Sequence, residues 1–144
     1  VIDRFRGEYA FLSNFAHSPI EVSGLVFPSV EHAYQAAKIS LSFSPDVRLA
    51  MQQGVARLAT ASLAKKAGRS LVLRRDWFDV RLPIMERLLR LKFELPTRMD
   101  RLRETAPHDL VEGNDWHDTF WGVCRGEGAN HLGRLLMKIR DEQP

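Results

Sequence analysis

The chain has 144 residues, 44% hydrophobic and 27% charged, which is long enough to bury a core without disulfides or a structural metal and too evenly apolar for disorder. No run of about 18 apolar residues exists, which excludes a membrane-spanning helix, and the lone cysteine, Cys124, excludes an internal disulfide or a cysteine zinc cluster and fits a reducing cytoplasm. The net charge is +3, with 16 arginines against 5 lysines; guanidinium forks suit phosphate, but these arginines are scattered among acids and also read as solvated helix surface.

In chain order, residues 1–28 are rich in Phe, Gly, Ser and Pro and read as short strands and loops. A small hairpin is expected over Ile20 to Phe27, turning at Ser23-Gly24. Ser29 caps a helix that meets no Gly or Pro until Pro45. A second helix is expected over 45–53 and a third, alanine-rich, over 60–68. A fourth begins at Arg75 or Asp76 and runs to Phe93, with Pro83 predicting a kink or a later start. Thr97 is placed as the cap of a fifth helix over 98–105. Leu110-Val111-Glu112 reads as a short strand, 114–128 as loop, and 132–140 as a last helix. No repeat or linker interrupts the chain. The expectation is a mainly α domain, α+β with a small N-terminal β element, compact and single over residues 1–144. The opening Val1-Ile2-Asp3-Arg4 does not match the basic-then-apolar pattern of a secretion signal, and the cytoplasm is the expected location.

Four stretches carry candidate chemistry. At about 100° per residue, Glu31, Gln35 and Lys38 share one stripe of the first helix with Tyr34 beside it, while Val30, Ala33, Ala37 and Leu41 share the other face. In water the stripe is ordinary polar surface with a Glu–Lys interaction. Covered by another element, it offers a general acid or base in Glu31 and a nucleophile or charge stabiliser in Lys38. His32 lies off the stripe, and no second His or acid stands at metal-ligand spacing, so no metal is expected. The second stretch is Glu112 and Asp118 among Trp116, Phe120, Trp121 and Gly122. Indoles offer flat faces to a base or sugar and carboxylates hold hydroxyls, or the tryptophans anchor the loop to the core. The third is Gly126 to Gly133, either an anion-holding turn or a simple turn with Asn130 as helix cap. The fourth is Ser13-Asn14, either pocket lining or an Asx-turn. Cys124 reads as a buried structural thiol.

These stretches, in this order, resemble the YbiA-like, or NADAR, family. The matching pieces are Phe11-Leu12-Ser13-Asn14-Phe15; Phe27-Pro28-Ser29-Val30-Glu31-His32-Ala33-Tyr34-Gln35-Ala36-Ala37-Lys38; Trp77 with Arg81 and Met85; Lys92-Phe93; Thr105; Glu112; Asp118-x-x-Trp121-Gly122; and Gly128-x-Asn130-x-Leu132-Gly133-x-Leu135-Leu136-Met137-x-Ile139-Arg140. Trp116 is an extra aromatic relative to that pattern. The resemblance implies a small, mostly helical N-glycosidase that cleaves the bond between a ribose anomeric carbon and nitrogen without a cofactor. Two substrate classes come with it: phosphoribosylamino-pyrimidine intermediates of riboflavin biosynthesis, and ADP-ribose on guanine in DNA or RNA. No membrane partner is expected, because the chain lacks a long apolar run. On this reading Glu31, Lys38 and Asp118 are catalytic, with Glu31 carrying a proton and Lys38 open to Schiff-base formation. Ser13, Asn14, Tyr34, Gln35, Trp77, Arg81, Glu112, Trp121, Gly122 and Asn130 bind substrate. The rival readings are a non-catalytic ADP-ribose or nucleotide reader and an arginine-rich nucleic-acid-binding module.

Overall fold

A computed structural model describes residues 1–142. Among these are one 3-10 helix, Gly7–Leu12, six α-helices and two two-stranded sheets. The fold is mainly α with a minor β component, as the hydrophobic spacing implies. It falls into two compact units, Val1–Ser13 with Phe93–Pro144, and Asn14–Lys92.

The unit Asn14–Lys92 starts with an antiparallel hairpin, β1 Ile20–Val22 and β2 Leu25–Phe27, in register Ile20 to Phe27. Its turn residues Ser23 and Gly24 have φ of +52° and +85°, the left-handed pair that a two-residue hairpin turn demands. Helix α1, Val30–Ala37, follows at once. Ser29 Oγ accepts from the His32 amide and caps it, which stabilises a helix start by about 1 kcal/mol. Helices α2 (Pro45–Ala56), α3 (Ala61–Gly68) and α4 (Trp77–Lys92) pack against α1. Ser44 and Thr60 cap α2 and α3 through their hydroxyls. Residues 30–36 are all buried, so α1 is the central helix of its unit. The expected assignment of Leu41 to the apolar face of α1 fails, because the helix ends before it and Leu41 is exposed. Pro83 lies inside α4 without ending it.

The other unit holds the 3-10 helix, α5 (Pro96–Glu104), β3 (Gly113–Asn114), β4 (Val123–Cys124) and α6 (His131–Asp141). Three local expectations are corrected here. Part of 1–28 is helical rather than strand or loop. Helix α5 starts at Pro96, with Leu95 at the cap position and no side-chain cap, so Thr97 lies inside the first turn; proline's fixed φ suits that first position better than a threonine hydroxyl one residue on. The strand expected at 110–112 reduces to an Ile2–Leu110 bridge, and regular pairing begins at Gly113. Leu12, Leu102, Leu110 and Leu136 are fully buried in this unit.

Arg140 ties this unit together. It is buried, and its guanidinium donates to Thr105 Oγ1 at 3.3 Å and to the His108 carbonyl at 2.6 Å, besides pairing with the exposed Asp141. The exposed pair adds little; the buried acceptors matter more, since an orphaned buried acceptor costs about 1–3 kcal/mol. Arg140→Met is therefore expected to lower unfolding free energy in urea by about 2 kcal/mol. A loss below about 0.5 kcal/mol would mean the guanidinium does not hold α6 to the loop after α5.

Candidate active site on the buried helix

The polar stripe of α1 is covered. Glu31, Tyr34 and Gln35 are all buried and Lys38 is partly buried. Gln35 Nε2 donates to Glu31 Oε1 at 2.7 Å, a turn apart along the helix. The Glu31 amide donates to the Asn14 carbonyl at 3.0 Å, so the chain just before β1 fixes the first turn that carries this carboxylate. Asn14 Nδ2 reaches Met85 Sδ at 3.5 Å, and its Oδ1 is buried with no hydrogen-bond partner among the described residues.

Lys38 caps the C-terminus of α1. Its backbone carbonyl accepts from the Arg74 amide at 2.9 Å, and the neighbouring Ser40 amide donates to the Val72 carbonyl at 2.8 Å. These bonds fix the base of the lysine. Its Nζ lies 5.2 Å from the Tyr34 ring centroid and 5.8 Å from that of Trp77, and the two rings pack at 5.1 Å and 58°. Burial pushes the ammonium below the ordinary lysine value of 10.5; the Glu31 charge opposes that shift and the Lys65 charge adds to it. Desolvation of the ammonium outweighs the favourable charge of the nearby carboxylate. The site therefore offers a carboxyl group and an amine that holds its proton less tightly than an exposed lysine does.

Arg81 sits one turn beyond Trp77 on α4, half-buried, its guanidinium carbon 5.1 Å from the exposed Phe78 ring. His32 serves structure: Nδ1 meets Ser29 Oγ at 2.7 Å and Nε2 meets the Leu58 carbonyl at 3.0 Å. A proton on Nε2 satisfies both contacts, with the serine hydroxyl donating to Nδ1. The alanine face of α1 borders a separate cleft of about 230 Å³ lined by Phe27, Ala33, Ala36, Leu88 and Arg87, which includes none of the stripe residues.

The remaining predicted residues, Ser13, Glu112, Asp118, Trp121, Gly122 and Asn130, belong to the other unit. There Asp118 Oδ1 accepts from the Phe120 and Trp121 amides at 3.2 and 2.9 Å, which shapes the turn presenting Trp121. The Trp121 ring stands edge-on to Phe120 at 4.8 Å. Gly122 permits close backbone approach: a Cβ there would lie 2.1 Å from the Glu112 carbonyl oxygen. Asn130 does not cap α6 with its side chain. Its Oδ1 accepts from the Glu112 amide at 3.0 Å and its Nδ2 donates to the Leu110 carbonyl at 2.9 Å, so the amide stands in for a neighbouring strand, and φ is +53°. Ser13 closes the 3-10 helix through its amide, bonded to the Ala10 carbonyl.

Sequence reasoning missed Asn114. It is 2% exposed; its Nδ2 donates to the Asp118 carbonyl at 2.8 Å and its Oδ1 accepts from the Trp116 and Asp118 amides. It is the internal strut of the aromatic loop, and its only signal in the sequence is an Asn at the loop's start. Lys65, whose charge reaches Lys38, was missed as well; it reads as one of two lysines on a short alanine-rich helix. Among the described residues no three of His, Cys, Asp and Glu group to hold a metal ion, and no helix is long and apolar enough to cross a membrane.

Known proteins resemble this chain over nearly all of its length. The NADAR domain profile matches residues 3–143. The N-glycosidase YbiA of Escherichia coli is 36% identical over 140 residues, spanning 94% of this chain and 82% of that protein. The riboflavin biosynthesis protein VVA0006 of Vibrio vulnificus is 39% identical over 93% of this chain but only 35% of its own length. The NMR structure of E. coli YbiA superposes with a TM-score of 0.80 at 35% identity, covering 98% of this chain and 83% of that one.

The surroundings of Lys38 make a direct prediction. Its side-chain titration, followed by NMR at Cε, is expected to have a midpoint below 10.5. Glu31→Gln removes a favourable charge and should lower the midpoint further; Lys65→Ala removes an unfavourable one and should raise it. A midpoint at or above 10.5 in the unaltered protein would show that burial does not govern this amine.

Proposed function

The chain belongs to the NADAR domain family, and we propose that it is an N-glycosidase acting on the bond between a ribose anomeric carbon and nitrogen. The observation that carries this reading is the desolvated amine of Lys38, held against Tyr34 and Trp77 with the Glu31 charge close enough to act on it. A proton passes from the Lys38 ammonium to the Glu31 carboxylate; Glu31 then gives it to the ring oxygen as the bond from C1′ to that oxygen breaks, leaving an iminium between C1′ and the substrate nitrogen. The neutral Lys38 amine adds to C1′, the proton its nitrogen then carries passes through Glu31 to the substrate nitrogen, and the substrate amine departs, leaving the lysine iminium. Water then hydrolyses the lysine Schiff base, the freed aldehyde recloses to the sugar, and the amine and carboxylate return to their starting states.

Tyr34 and Trp77 line the sugar or base, Asn14 and Arg81 complete the substrate-binding set of the same unit, and Gln35, expected in that set, instead spends its amide on Glu31. In the other unit we assign Asp118 a catalytic role, and Ser13, Glu112, Trp121, Gly122 and Asn130 roles in binding. Two substrates fit this chemistry: ADP-ribose on guanine in nucleic acid, and a phosphoribosylamino-pyrimidine such as the riboflavin-related relatives suggest. The proposed location is the cytoplasm.

The test is a competition between ADP-ribosyl-guanine DNA and the phosphoribosylamino-pyrimidine, scored by product release. Release from either supports the glycosidase; binding of both without release makes the protein a reader. In the same reaction borohydride should trap an adduct that Lys38→Ala abolishes. Trapping that survives this substitution removes the Schiff base, and turnover without any trapping favours an oxocarbenium route with water as nucleophile. Glu31→Gln should cut kcat by about 10²–10⁴ with little change in KM.

A further inference from the structure

Gln35 Nε2 is committed to Glu31, and its Oε1 is buried with no hydrogen-bond partner among the described residues. Beside that amide stands Gly68, the last residue of α3. A Cβ at Gly68 would lie 1.8 Å from Gln35 Oε1 and 2.6 Å from Cδ, so the amide occupies the space a side chain would take. Gly68 is buried and helical, without a positive φ. Alanine is the better helix former at such a position, so the backbone gives no reason for glycine. Turning the amide over would aim Oε1 at the ionised carboxylate, and two acceptors repel, so a methyl at position 68 has to push the end of this side chain out of its present pose.

We propose that Gly68 is a positioning residue, whose missing side chain lets Gln35 hold the Glu31 carboxyl in its working orientation. The proposal rests on the reading of Glu31 as the proton carrier. It makes the contact between α1 and α3 part of the catalytic apparatus, and it casts Gln35 as a residue that acts through Glu31.

The experiment compares the full chain with Gly68→Ala, Gln35→Ala and the double variant. The Gln35 side-chain NH₂ signal, identified by its loss in Gln35→Ala, reports the hydrogen bond without need of activity. It is expected to lie downfield in the unaltered protein and to move upfield, with faster exchange, in Gly68→Ala. With substrate, Gly68→Ala should lower kcat about tenfold, the scale of one hydrogen bond to a charged group, with KM within about twofold. In the Gln35→Ala background the same change should alter kcat less than about twofold, because the group it collides with is gone. An unmoved NH₂ signal overturns the proposal, as do equal losses of kcat in both backgrounds or failure of Gly68→Ala to fold in either background. A moved signal with unchanged kcat overturns the positioning role alone, because the loss of kcat in Glu31→Gln decides the assignment of Glu31 separately. If the unaltered protein shows no turnover on either substrate, the glycosidase reading and the positioning role built on it both fall, while the NH₂ signal still decides whether Gly68 sets the pose of Gln35.

Discussion

Burying the polar stripe of α1 constrains everything else in the Asn14–Lys92 unit. A carboxyl, an amide and a phenol have been taken out of water on one eight-residue helix, and an amine at its end is partly withdrawn. Removing a charged group from water costs several kcal/mol unless partners replace the solvent. The unit supplies some of them: Gln35 for Glu31, two ring faces for Lys38, and the Asn14 carbonyl for the first-turn amide. A hydrogen bond to a charged group returns about 1.5–3 kcal/mol and a partly shielded cation–π contact about 1 kcal/mol. An all-apolar helix of the same shape would fold at lower cost, so stability alone does not account for this composition.

Three helices and a hairpin are needed to cover a helix this short. Its neighbours must approach closely, and α3 does so at Gly68, where the Gln35 amide takes the space of the missing side chain; Ala61 and Ala64 on the same helix are buried as well. Close packing fixes rotamers, and fixed rotamers keep donors aimed at a reacting group. The aromatic loop of the other unit reaches the same end by different means. There Asn114 replaces a core: one amide holds the loop's carbonyls and amides at once, and the Asp118 carboxylate pins two more amides. A loop ordered by hydrogen bonds can leave its aromatic side chains partly open, which a loop ordered by burial cannot.

Much of this was legible from residue type and spacing. Ser29 announces a helix start because capping is local, and Ser44 and Thr60 cap theirs by the same means. Ser23-Gly24 announces the hairpin because the turn needs two left-handed residues. The shared face of Glu31, Gln35 and Lys38 follows from helical periodicity alone. Whether that face met water did not, since burial depends on α2, α3 and α4 arriving over it. Thr97 misled because it has the chemistry of a cap, while Pro96 beside it has the geometry of a first turn. Asn130 also misled: its side chain serves Glu112 and Leu110, far back in sequence, and leaves the helix it precedes uncapped. Gly68 carried no signal at all, because a helical glycine gains meaning only from what occupies the space beside it.

The amine at position 38 shows how the site is tuned and at what expense. A lysine whose folded value is depressed below 10.5 holds its proton less tightly in the folded chain than in the unfolded one. Its charge therefore opposes folding fully at pH below the folded value, and the opposition fades as pH rises from there toward 10.5. At neutral pH the protein carries that penalty and gains a larger share of neutral amine than an exposed lysine would have. Glu31 limits both effects, because its charge pulls the lysine back toward the protonated form. The Glu31 carboxylate thus sets how readily the amine gives up its proton, so the two groups act as a pair.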